Sequence, residues 1–135
     1  MTLSLRDWLI RHEGIKQKPY RCTAGKLTIG VGRNLDDNGI SLEECYYLLD
    51  NDIKRCKKDL ENYQWYTKQP PGVKDALVNM CFNLGINRLL KFKKMILALS
   101  ASHFHQAANE ALDSLWAKQV GQRAKDVANM IRDGK

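Results

Sequence analysis

The sequence predicts an α+β fold that is mostly α, and three observations carry that prediction. Apolar residues recur at helical spacing over most of the chain, as in Leu5, Trp8, Leu9 and His12. In one window the period drops to two, where Leu27, Ile29 and Val31 alternate with Thr28, Gly30 and Gly32. A Pro70-Pro71-Gly72 break then separates a mixed first half from a second half that is helical in pattern throughout. At 135 residues the chain has the size of a single domain. A chain of that length buries roughly 70% of its unfolded surface, so its core needs no staples.

Each element follows from local signals. Ser4 and Asp7 form a capping pair, so a helix is predicted over 4–13 with Gly14 as its stop. Residues 18–33 read as a β-hairpin turned by Thr23-Ala24-Gly25. Residues 34–40 read as a polar loop with an Asn-Gly turn signal. Ser41 and Glu44 make a second capping box, opening a helix of roughly twenty residues. Its apolar face is Leu42, Cys45, Tyr46, Leu49, Ile53, Cys56 and Leu60, which places Cys45 and Cys56 on a buried stripe as small hydrophobes. After the break, Val73, Ala76, Leu77, Met80, Cys81 and Leu84 make one stripe, closed by Gly85. Further helices are predicted over 91–100, 102–116 and 119–132.

Composition excludes several classes. Hydrophobic residues at 44% and charged residues at 27% rule out a disordered or collagen-like chain. The longest apolar run, 95–99, is far short of a membrane span, so no stable membrane insertion is expected. Arg6 and Asp7 interrupt the stretch a signal peptide would need, so the protein is expected to start in a cytoplasm. Four cysteines, Cys22, Cys45, Cys56 and Cys81, show neither zinc nor thioredoxin spacing and are expected to be reduced. His103 and His105 point to different sides of a helix, so neither a metal nor another cofactor is expected. The net charge of +7 suits nucleic acid, an anionic cell surface or an acidic polysaccharide. Its basic residues, such as Lys54, Arg55, Lys57, Lys58, Lys91, Lys93 and Lys94, scatter over helix faces without a binding motif, which argues against nucleic acid.

Chemistry concentrates in the first thirty residues. Glu13 falls in the last turn of the first predicted helix, at the negative end of the helix dipole, where a carboxyl group holds its proton more readily. That is the state a general acid requires. Cys22 and Thr28, with five residues between them, fall on one face of the predicted hairpin. Gly30 and Gly32 leave the backbone open to close approach there. A thiol and a hydroxyl beside a carboxyl group could hold and activate one water molecule. A helix-end glutamate in water and a solvent-facing hairpin with a chance thiol are the plain alternatives.

The order Glu13, eight residues, Cys22, five residues, Thr28 resembles the catalytic signature of the phage-type lysozymes, the endolysins of T-even and lambdoid phages (glycoside hydrolase family 24). The surrounding His12-Glu13-Gly14, Pro19-Tyr20 and Leu27-Thr28-Ile29-Gly30-Val31-Gly32 agree with it. So do the segment from Ala76 to Gly85, which is similar to the family's central helix, and Trp116 with Gln122-Arg123-Ala124-Lys125. The resemblance covers essentially the whole chain. It implies one lysozyme-like domain: a helix-plus-hairpin lobe over about 13–60, a helical lobe over about 61–135, and helix 4–13 packing on the second lobe.

The activity it implies is hydrolysis of the β-1,4 bond between N-acetylmuramic acid and N-acetylglucosamine in peptidoglycan, causing host cell lysis in phage release. Glu13 would protonate the glycosidic oxygen, Cys22 would take the place of the second catalytic side chain, and Thr28 would help place the water. Arg123 would support Glu13, while Phe82 and Asn83 would line the saccharide cleft. Peptidoglycan is the expected partner of a monomer held in the host cytoplasm until a holin opens the membrane to the periplasm and wall; a tail-associated location stays open. The positive charge would then draw the protein to anionic wall polymers, and activity would fall with added salt.

Three departures qualify the match. Cys22 is not a carboxylate, so it would act as a thiolate base, as a nucleophile or only to position water; an ordinary thiol is only slightly ionised at neutral pH unless its surroundings help, as basic Arg21 and Lys26 would. Against the family's pattern, Arg33 stands where many relatives have His, and the chain is shorter than the T-even type around 34–41, so it is expected to lack an extra helix there. A lytic transglycosylase acting through Glu13 alone, and a non-catalytic wall-binding virion component, remain the alternatives.

Overall fold

The computed structural model describes residues 2–135. The chain divides into two compact units, Met1–Tyr47 and Leu48–Lys135. The division falls inside one long helix. No helix among the described residues is long and apolar enough to cross a membrane. As predicted, helices dominate and one small sheet accompanies them.

The first unit opens with α1 (Leu5–Glu13), whose N-terminus is closed by a capping box between Ser4 and Asp7. A three-stranded antiparallel sheet follows, ordered β1 (Lys16–Arg21), β2 (Leu27–Gly30) and β3 (Arg33–Asn34). Tyr20 pairs with Thr28 and Arg21 with Leu27, while the register shifts between Lys16 and Tyr20. Pro19, which has no N–H to offer, sits in that irregular stretch of an edge strand, where proline is tolerated. The turn is a three-residue loop: the Gly25 N–H donates to the Cys22 carbonyl at 2.8 Å and Gly25 takes φ +78°.

Two features of this unit go beyond the sequence prediction. The hairpin gains a third short strand, and the expected loop over 34–40 contains a helical turn, α2 (Leu35–Asn38), capped by the Asn34 side chain. That turn fastens the hairpin. Asp36 accepts the Leu27 N–H at 2.7 Å and pairs with Arg21 at 3.3 Å, and Asp37 pairs with Lys26 at 3.1 Å.

Helix α3 (Leu42–Leu60) starts at the predicted box, where Ser41 Oγ accepts the Glu44 N–H at 3.1 Å and Glu44 accepts the Ser41 N–H at 2.8 Å. Its apolar stripe is buried only towards the C-terminal end, which corrects the expectation for Cys45. Cys45 is exposed, as are Leu42, Tyr46 and Leu49, while Ile53 and Cys56 pack against the core and Leu60 is fully buried. Periodicity identifies the face a helix could bury, but how far the core extends along it decides which residues are covered.

The second unit continues with α4 (Gln64–Thr67), α5 (Pro71–Leu84), α6 (Ile86–Leu89), α7 (Lys93–Ser100), α8 (Phe104–Leu112), α9 (Leu115–Val120) and α10 (Gln122–Asp133). Helix α5 starts with proline in its first turn, where the missing N–H costs nothing. Its predicted stripe of Val73, Ala76, Leu77, Met80, Cys81 and Leu84 is buried throughout. Helix α10 packs against α5 and α8, and α7 packs against α8. The buried Gln69 side chain is satisfied, donating to the carbonyls of Trp65 at 2.7 Å and Leu99 at 3.0 Å.

The single helix predicted over 102–116 is two helices. Ser114 breaks it, donating to the Ala111 carbonyl at 2.7 Å and accepting the Ala117 N–H at 3.1 Å, so that it starts α9. Trp116 therefore opens a helix instead of ending one.

Candidate active site

Glu13 is the last residue of α1, where Gly14 ends the helix with φ +76° and donates to the Ile10 carbonyl at 2.7 Å. The Glu13 side chain is exposed and rests against Gly32, just beyond β2. A Cβ built on Gly32 would lie 2.8 Å from Glu13 Oε2, so any side chain there would displace the carboxylate. Gly32 also takes φ +68°, which only glycine adopts at no cost. The sequence marks this glycine as a point of close approach, and Glu13 is the group that approaches. Both residues line a cavity of about 600 Å³ whose other walls include Leu5, Leu9, Ile10, Ile15 and Val31.

Cys22 and Thr28 are set by the hairpin register. Thr28 lies opposite Tyr20, and the Cys22 N–H donates to the Lys26 carbonyl at 3.0 Å, so both side chains fall on the same face as diagonal neighbours. The Cys22 thiol is held below its ordinary range, first by the backbone N–H of Lys26 and then by that of Ala24, against the cost of partial burial. This replaces the expected cause. The sequence points to the charges of Arg21 and Lys26 as the source of the thiolate, but those charges are paired with Asp36 and Asp37. The turn's own amides favour the charged form instead, as they would for an aspartate in an Asx turn.

Thr28 is only 3% exposed, the one buried residue among the described residues of the first unit. Its hydroxyl donates to the Lys26 carbonyl at 2.8 Å. With its proton committed, Thr28 Oγ1 offers lone pairs to a second donor. Arg33 donates to Glu44 at 2.8 Å and to the Gly39 carbonyl at 3.2 Å, tying β3 to the start of α3. The Arg33 guanidinium, helped by the capping contacts of Ser41, holds the Glu44 carboxyl down at about 2.

The remaining predicted residues belong to the second unit. Arg123, in the first turn of α10, donates through Nε to Asn79 Oδ1 at 2.8 Å and through Nη2 to the Asn79 carbonyl at 3.3 Å. The sequence does not single out Asn79; its place in the helical pattern next to buried Met80 gives no sign of an arginine partner. Phe82 is 43% exposed and is not a core residue. Asn83 is exposed too, and it does not cap α5, because Gly85 does. Its Oδ1 accepts the Trp116 Nε1–H at 2.8 Å, and Trp116 meets Phe92 edge to face at 6.1 Å.

Helix, hairpin and helical unit are accompanied by a matching sequence family. A family model described as phage lysozyme matches residues 10–132, and the chain belongs to that family. It is a lysozyme-type glycosidase. The chain is 28% identical to the "Pre-baseplate central spike protein Gp5" of Enterobacteria phage T4, covering 98% of this chain but only 28% of that protein. It is also 28% identical to the "Probable T4-type lysozyme 2" of Dictyostelium discoideum, over 99% of this chain and 96% of that one. The "SAR-endolysin" of Escherichia phage Mu is 30% identical over 92% of this chain and 72% of its own length.

Proposed function

We propose that this lysozyme is a muramidase that cuts the β-1,4 bond between N-acetylmuramic acid and N-acetylglucosamine, and that it serves host cell lysis in phage release. The observation that carries this reading is the seating of Glu13 against the bare backbone of Gly32, on the same β-hairpin that holds Cys22 and Thr28. In this mechanism Glu13 gives its proton to the glycosidic oxygen as the bond to the sugar carbon breaks. A water molecule donates one hydrogen bond to the Cys22 sulfur and the other to Thr28 Oγ1, whose own proton is engaged by the Lys26 carbonyl. The water oxygen attacks the sugar carbon, and the Cys22 thiolate takes up the released proton. Phe82 and Asn83 hold the saccharide, and Arg123 is a supporting cation.

Mass analysis of fragments from purified peptidoglycan tests the proposal, with digests by the wild type and by Glu13→Gln. Hydrolysed muramic acid ends from the wild type, absent from the variant's digest, are expected. Ends lighter by one water would instead identify a lytic transglycosylase, in which Cys22 needs no role as a base. No cleavage by the wild type would leave a wall-binding component.

The protein is proposed to act as a monomer on peptidoglycan, waiting in the host cytoplasm until a holin gives it access to the wall. Similarity to a phage spike protein favours a second reading, in which the chain is carried on the virion. Peptide mass mapping of purified virions separates the two: a free endolysin leaves the particle clear of this chain.

A further inference from the structure

The short helix α4 and its flanks line a second cavity, of about 480 Å³, bounded by Asn62, Tyr63, Gln64, Trp65, Lys68 and Ser100. It shares no lining residue with the cavity at Glu13, and the proposed chemistry uses none of these side chains. Helix α4 leads into the N-terminal end of α5, whereas Phe82 and Asn83 lie near the other end, roughly 18 Å along the helix axis. We propose that this cavity is an auxiliary carbohydrate site, which takes an N-acetylated amino sugar of a glycan chain.

The lining has the chemistry such a sugar needs. Tyr63 and Trp65 stack with ring centroids 5.5 Å apart and planes at 29°. A pyranose carries C–H groups on its face and polar groups around its rim, so aromatic rings cover the face while amides and hydroxyls meet the rim. Asn62 donates through Nδ2 to the Asp59 carbonyl at 3.2 Å, which leaves its Oδ1 to accept the N–H of an acetamido group. The exposed Gln64 side chain supplies an N–H for the acetamido carbonyl.

The walls are fixed in advance. Gln69 is only 5% exposed and donates to the carbonyls of Trp65 at 2.7 Å and Leu99 at 3.0 Å, while Lys68 donates to the Ser100 carbonyl. A buried amide thus ties the aromatic wall on α4 to the end of α7, and Trp65 itself packs against the core. A site whose walls are set before binding loses little freedom when the sugar arrives. The choice of polymer rests on the peptidoglycan reading: a glycan chain held here stays at a raised effective concentration for the cleaving site.

The experiment titrates the full chain with the N-acetylglucosamine tetramer and with cellotetraose, which has the same linkage without acetamido groups, and follows the tryptophan indole N–H signals by NMR. Trp8, Trp65 and Trp116 give three signals, and Trp116, bonded to Asn83, reports on the other end of α5. A saturable shift of the Trp65 signal is expected with the amino-sugar tetramer and not with cellotetraose. Tyr63→Ala should weaken that binding roughly tenfold. If Tyr63→Ala fails to fold, Gln64→Ala, at an exposed side chain, takes its place. A shift confined to the Trp116 signal would overturn the inference and leave the muramidase reading standing. An unmoved Trp65 signal, an equal response to cellotetraose, or full binding by a folded variant would overturn it as well. Cleavage is read separately, from the masses of peptidoglycan fragments, so each of the two readings can fail without the other.

Discussion

Each of the two units of this chain is held together by a different kind of interaction. From residue 2 to residue 47 the only buried residue is Thr28, and the elements are fastened by capping boxes, by Asp36 on the Leu27 amide, and by the pairs of Arg21, Lys26 and Arg33 with acids. From Leu60 onward, apolar residues of α5, α7, α8 and α10 make one continuous cluster. Exposed ion pairs are each worth about 0–1 kcal/mol, whereas a buried leucine contributes several times that. Catalytic candidates therefore sit where the backbone is defined by directional bonds, and stability sits where packing supplies it. A polar framework can change one functional side chain at little cost; a packed core cannot.

The largest effect that would break this comparison is in the core. Leu77 is fully buried on α5, and Leu77→Ala should lower the unfolding free energy by about 2–5 kcal/mol. The equivalent truncation in the first unit, at Leu9 with 47% exposure, should cost about 0.5 kcal/mol. Chemical denaturation of both variants measures the contrast, and equal losses would mean that the first unit has a core of its own.

A second test concerns function and not stability. Cys22→Ala should lower kcat/KM by roughly 100-fold, within the usual range for a general base, while Cys22→Asp keeps most of it. The wild-type rate should climb with pH as the thiolate forms, at a lower pH than an ordinary thiol would allow because the Lys26 and Ala24 amides favour the charged form. Cys22→Asp should lose that rise, and all three proteins should melt alike.

Much of this division is legible in the sequence, and the reasons are specific. Capping boxes at Ser4 and Ser41 are local chemistry and set two helix starts to the residue. The α5 stripe is clear because a helix buried along its length shows its full period. What stays hidden depends on partners far along the chain. Nothing local shows that Asp36 will meet the Leu27 amide, that Arg123 will choose Asn79, or that the start of the α3 stripe will lie beyond the core. In the candidate site, the family resemblance points to Glu13, Cys22 and Thr28, but the amides that favour the thiolate belong to turn geometry.

Smaller effects sharpen the contrast further. Ser41→Ala removes the acceptor for the Glu44 N–H and should cost about 1 kcal/mol, visible in a denaturant titration. The smallest is acid dependence. Glu44 is held at about 2 in the folded protein, below its ordinary 4.5, so its pairing with Arg33 supports the fold fully above pH 4.5 and fades as pH falls towards 2. Glu44→Gln should therefore melt slightly below the wild type at pH 7 and converge with it near pH 2. A gap that stays constant across that range would remove the ion pair from the account.

Helix α5 brings buried and exposed positions together in a single element. Cys81 is 2% exposed and its neighbour Phe82 is 43% exposed, so one step along the helix passes from core to surface. Asn79 holds Arg123 and Asn83 holds Trp116 within the same turn that carries buried Met80 and Cys81. A volume change at either buried position should strain the turn that carries both asparagines. Substitutions that tune the surface of α5 and substitutions that repack its underside will therefore be epistatic, and laboratory evolution of one face will repeatedly select compensating changes on the other.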